Sequence, residues 1–85
     1  MQEAPVRSVF SEITDFLATN PTPEEIIAYR LPDDLQARAH ELLELNSEGE
    51  LTGEAREEMF DFVRVDEMMS LLKAKMKLKL KKASE

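Results

Sequence analysis

Eighty-five residues without a cysteine make one small domain whose core draws no help from disulfides or thiolate-bound zinc. An apolar share of 42% is too high for a disordered tail and sufficient for a compact helical fold. A glycine count of 2 argues against phosphate-cradling loops and an all-β architecture, and a net charge of −7 disfavours nucleic acid and anionic membranes for the molecule as a whole.

Apolar positions Val6, Val9, Phe10, Ile13, Phe16 and Leu17 recur at three- and four-residue spacing, which predicts an amphipathic helix over residues 6–18. Asn20-Pro21 ends it, because proline disfavours helical geometry in the residue before it. Thr22-Pro23-Glu24-Glu25 is a capping box with proline at the first helical position, and it opens a short helix through Ile26, Ile27 and Tyr29. Pro32 stops that helix, and Pro32-Asp33-Asp34 starts a third with two carboxylates where the helix dipole favours them. Leu35, Ala39, Leu42 and Leu43 form its expected buried face. Asn46-Ser47-Glu48-Gly49 terminates it, with Asn46 or Gly49 taking a left-handed conformation. Thr52 then caps a last helix. With no proline from Gly53 onward, this helix is expected to reach Lys82, a length of about 45 Å.

Charge divides the chain near the end of that helix. Residues 1–72 carry 5 basic and 17 acidic side chains, a balance of −12, whereas residues 73–85 carry 6 and 1, a balance of +5. The expected organisation is an acidic helical body, residues 1–72, with residues 73–85 as a basic C-terminal extension of the last helix. From Lys73 to Leu80 lysines alternate with apolar residues, which alone is a strand pattern. These residues are good helix formers and none is β-branched, while Val65, Met69, Leu72, Met76 and Leu80 share one helical stripe, so the reading is helix. The predicted fold class is all-α: three short helices plus one long C-terminal helix in a small bundle. Its expected core is Phe10, Ile13, Phe16, Leu17, Leu42, Leu43, Phe62 and Met69, with Met68 packed beside it.

Several patterns resemble functional sites and fall short. Glu44 to Ala55 sets Gly49 at the sixth position of a calcium loop, but the twelfth position, which must supply a bidentate carboxylate, is Ala55. A helix–helix turn accounts for the segment. His40 is the single histidine and has neither a nucleophile nor a second titrating group in its pattern; it reads as a partly exposed structural residue. Glu24/Glu25 and Glu57/Glu58 sit in opening turns, where dipole stabilisation explains them. A chain this small also has little volume for a catalytic cleft. No enzyme, metal or cofactor is therefore expected. The second and third helices resemble a helix-turn-helix, yet the supposed reader helix offers Arg38 against Asp33, Asp34, Glu41 and Glu44, which phosphate would reject.

The apolar residues late in the last helix need cover that the body does not obviously provide. Met76, Leu78 and Leu80, with Lys73, Lys75, Lys77 and Lys79 around them, are the expected partner-binding residues. Methionine suits adaptable binding surfaces. The extension holds no arginine or aromatic residue, so base stacking and bidentate base readout are missing, and only weak sequence-blind nucleic-acid binding is expected.

Phe16-Leu17-Ala18, Thr22 to Arg30, Glu41-Leu42-Leu43, Glu48 to Thr52 and Met68 to Lys75 together resemble a family of small, largely uncharacterised bacterial helical proteins. The likeness covers residues 10–78. Its marks are a leucine-rich helix, a Gly-x-Leu-Thr turn and a long helix ending in a Leu-x-Lys-Ala-Lys phrase. This chain departs by placing Gly53 where a proline is usual. Some members are encoded beside small nucleases of the HNH or PIN type, which implies an antitoxin-like or accessory role and supplies no catalytic residues.

These readings converge on a non-catalytic protein–protein interaction module, with a nuclease as one partner the resemblance implies. The alternatives are weak binding of nucleic acid or an anionic surface through the lysines, and a homodimer in which the basic tail of one chain lies along the acidic body of another. No run of apolar residues is long enough to span a membrane. Met1-Gln2-Glu3-Ala4-Pro5 lacks the basic start and apolar stretch of a signal peptide, so a cytoplasmic location is expected.

Overall fold

In a computed structural model that describes residues 8–84, four helices follow one another: α1 Val9–Ala18, α2 Pro23–Ala28, α3 Asp33–Ser47 and α4 Gly53–Ala83. The expected all-α fold with one long C-terminal helix is what the chain adopts. Among the described residues there is no strand, and the lysine-rich stretch from Lys73 continues α4 without a break. The expectation at Val6 lies outside the described residues.

Local chemistry sets the starts of α1, α2 and α4 and the ends of α1 and α3. The Ser8 hydroxyl accepts the Ser11 amide at 3.2 Å to start α1. At α2 the Thr22 hydroxyl accepts the Glu25 amide at 3.1 Å and the Glu25 carboxylate accepts the Thr22 amide at 2.8 Å, so both halves of the capping box form. Thr52 caps α4 by accepting the Ala55 amide at 3.1 Å. Asn20 ends α1 at φ 59°, an αL position that asparagine tolerates. Gly49, at φ 72°, ends α3 in a Schellman motif: the Glu50 amide reaches the Leu45 carbonyl at 2.9 Å and the Gly49 amide reaches Asn46 at 3.1 Å. Of the two residues suited to the left-handed position, glycine takes it, because it has no Cβ to clash.

Each of the three short helices packs against α4, and the molecule stretches along it, 52 × 26 × 17 Å. The core consists of Val9, Ile13, Ile26, Leu35, Leu42, Phe62, Val65 and Met69. Phe16, Leu17, Ala39, Leu72 and Met76 are partly buried against it. Three expected core positions are corrected: Phe10, Leu43 and Met68 are exposed. Each is chain neighbour to a buried residue, Val9, Leu42 and Met69 respectively. A helix advances about 100° per residue, so of two adjacent apolar side chains only one points squarely at α4 or away from it into the core.

Polar ties lock the helices in place. The Arg38 guanidinium grips both oxygens of Glu58 across α3 and α4 at 2.8 and 2.7 Å, and bonds Glu41 at 2.7 Å. The hydrogen bond to Glu58, then that to Glu41, raises the guanidinium's proton affinity above its ordinary value. Tyr29 stacks tilted on Phe16 with ring centroids 4.3 Å apart, and its hydroxyl donates to Glu12 at 3.1 Å. The Lys73 ammonium donates to the Tyr29 carbonyl at 2.8 Å, fixing the end of α2 to the middle of α4. The Gln36 amide donates to the Leu31 carbonyl at 2.6 Å, closing the turn between α2 and α3.

Candidate interaction surface

A helix of 31 residues packed along one side has a second side to account for. On α4 the core-facing row is Phe62, Val65 and Met69, continued by the half-buried Leu72 and Met76. Away from the core the same helix exposes Phe60, Val63, Met68, Leu71 and Leu78, of which Leu71 at 60% and Leu78 at 53% are the most open. Scattered single apolar residues are ordinary on a surface, whereas several on one helix face form a patch. Arg64 covers part of it. Its guanidinium lies 5.9 Å from the centroid of the Phe60 ring and pairs with Asp61 at 3.2 Å, so an aromatic face and a charge pair mark the N-terminal half of the patch.

The expected partner-binding residues are dispersed by the fold. Lys75, Lys77 and Lys79 are exposed, as is Leu78. Met76 packs against the core, so cover runs one turn further along α4 than the stripe up to Leu72. Leu80 is half-buried, and Lys73 is committed to the Tyr29 carbonyl. Phe60, Val63 and Leu71 were not singled out in the sequence. Their signal was present as a second apolar row on α4, offset from the core row, but the stronger stripe through Val65, Met69 and Leu72 masked it.

Two shallow depressions flank the core row. One, of about 280 Å³, lies among Tyr29, Arg30, Gln36, Asp66 and Lys73 over Met69. The other, of about 290 Å³, is an apolar groove between α3 and α4 formed by Leu31, Ala39, Leu43, Met59 and Val63 over Leu42 and Phe62. Neither brings a nucleophile and a base together. His40 is exposed on α3 and lines neither depression. Among the described residues no three His, Asp or Glu side chains converge as a metal site would require, and the segment that resembled a calcium loop is spent on the Schellman turn.

Comparisons of the chain with protein families, with curated proteins and with solved structures give no match. Among the described residues no helix is long and apolar enough to cross a membrane. The arrangement offers a one-sidedly supported helix with exposed apolar side chains and lysines crowded at one end.

Proposed function

We propose that this protein is a non-catalytic protein–protein interaction module and that the outward face of α4 is its docking element. The carrying observation is the exposed row of Phe60, Leu71 and Leu78 on a helix whose other side packs against α1, α2 and α3. Buried apolar anchors hold such a complex, while lysines at the rim set encounter rate and orientation. The rim favours an acidic partner; a nuclease in an antitoxin-like pairing is the partner class that the family resemblance implies. The test is photo-crosslinking in cells from a reactive side chain placed at position 71, with position 40 as control. Adducts from 71 that disappear on Leu78→Glu support the reading, and equal labelling from both positions overturns it. Met76 is a poor site for this test because its core contact confounds docking with folding.

The second reading, nucleic-acid or anionic-surface binding, is favoured by the exposure of Lys75, Lys77, Lys79, Lys81 and Lys82. Five phosphate contacts at most, opposed by the acidic body, give binding that fades by physiological salt, where the Debye length is about 8 Å. Fluorescence anisotropy with short DNA and RNA over a salt series measures this, and sequence-selective binding at physiological salt would move the function to nucleic acid.

A further inference from the structure

The outward face of α4 carries a pattern that selects its occupant. Phe60, Arg64, Glu67, Leu71, Ala74 and Leu78 advance by alternating steps of four and three residues, and all of them are exposed. That is the spacing on which a two-helix coiled coil builds its seam, here with Phe60, Leu71, Ala74 and Leu78 apolar and Arg64 and Glu67 charged. Charge along the same helix is graded: residues 53–67 carry six acidic and two basic side chains, a net of −4, and residues 73–82 carry six lysines with no acid. Such a helix matches itself only when reversed. Parallel pairing would set lysines against lysines. Antiparallel pairing sets the lysine end of each helix against the acidic half of the other, and one two-fold axis generates both contacts.

Resting on the interaction reading above, we infer that the partner of this face is a second copy of the chain, joined through α4 helices running antiparallel. The register that sets Phe60 opposite Leu78 of the second copy also sets Arg64 opposite Ala74 and Glu67 opposite Leu71. The long arginine thus meets the smallest residue of the seam. Glu57 falls opposite Lys81 of the second copy where the row runs on past Phe60 and Leu78, and Asp61 lies on the same flank as Lys75 of that copy. Glu67 near the centre of the seam fixes register at a cost in affinity, as a polar residue in a coiled-coil seam does. A seam of about 27 Å from Phe60 to Leu78, one helix wide, is also smaller than the roughly 800 Å² per partner of a standard stable interface. The dimer is therefore a weak one that forms at high protein concentration and loosens with salt.

Sedimentation equilibrium of the full chain at several hundred micromolar tests this. The expected mass is twice that of the chain at roughly 50 mM salt, with the dissociation constant rising about tenfold at roughly 500 mM. The absence of native cysteine makes the register readable by disulfides. An equimolar mixture of Arg64→Cys and Ala74→Cys is expected to give the mixed crosslink, and neither variant alone should link to itself. Self-linking of either variant would establish parallel pairing and overturn the proposal. So would a monomer at the low salt and high concentration, or an unchanged dimer for Leu71→Glu with helix content intact by circular dichroism. A monomeric protein that still loses its position-71 adducts in cells on Leu78→Glu would refute the dimer and leave the interaction reading standing.

Discussion

Leu42 and Leu43 are neighbours in sequence on α3 and opposites in environment, and the difference between them is a quantitative test of the fold. Leu42 is fully buried at 0% exposure, whereas Leu43 is 55% exposed. Truncating a buried leucine to alanine costs about 2–5 kcal/mol, the spread reflecting how far the site collapses. Leu42 lies at the floor of the open α3–α4 groove, so water or the neighbouring Met59 side chain can relieve part of the cavity. That places Leu42→Ala near the middle of the range, at about 3 kcal/mol. A domain of this size has a total stability of about 4–13 kcal/mol, and each kcal/mol moves the melting temperature by about 4–8 °C. A fall of about 12–24 °C is expected for Leu42→Ala. Leu43→Ala gives up less than half of a leucine's burial and gains slightly in helix propensity, so it should cost about 1 kcal/mol or less. Paired thermal and urea melts followed by circular dichroism give both numbers. Equal destabilisation by the two substitutions, or a larger effect at Leu43, would refute the orientation of α3 on α4.

The two glycines should respond to alanine with opposite signs. Gly49 has φ +72° and no atom within 4 Å of an added Cβ, so Gly49→Ala costs about 1 kcal/mol through backbone strain alone. Gly53 is the first residue of α4 and is equally open, so Gly53→Ala stabilises by about 0.4–1 kcal/mol by restricting the unfolded chain; urea melts showing the same sign for both would contradict the assigned backbone geometry. The Arg38–Glu58 clamp, with side chains 27% and 29% exposed, should show a coupling of about 1 kcal/mol in a double-mutant cycle of Arg38→Met and Glu58→Gln, reduced by high salt. A coupling of zero would mean that the bidentate contact contributes nothing to holding α3 on α4.

The helix boundaries were legible because they rest on short-range chemistry. Thr22 and Glu25 satisfy each other within three residues, and Thr52 and Gly49 act on backbone beside them; a linear reading contains every atom involved. Rotation of each helix about its axis was less legible. Phe10 and Val9, Leu42 and Leu43, and Met68 and Met69 are pairs of similar hydrophobicity, and which member faces inward depends on where α4 lies, a property of the whole assembly. Ties across long separations were invisible for the same reason. Arg38 with Glu58 and Lys73 with the Tyr29 carbonyl join residues 20 and 44 positions apart, and lysine beside a helix end has no sequence signature of a carbonyl partner. The outward row on α4 lay between these cases. Its spacing could be counted in the sequence, but its exposure could be known only once the other row was seen to be covered.

Because α1, α2 and α3 each find their main packing surface on α4, and α4 follows them in the chain, order of synthesis matters to this fold. A ribosome adding about 5–20 residues per second needs about 2–6 s to make the 31 residues of α4. Throughout that interval Val9, Ile13, Ile26, Leu35 and Leu42 have emerged or are emerging without the surface that later buries them. The nascent chain is therefore most exposed to chaperones and proteases just before completion of its longest element, and slowing elongation within the codons for α4 should lower the yield of folded protein more than the same delay placed earlier.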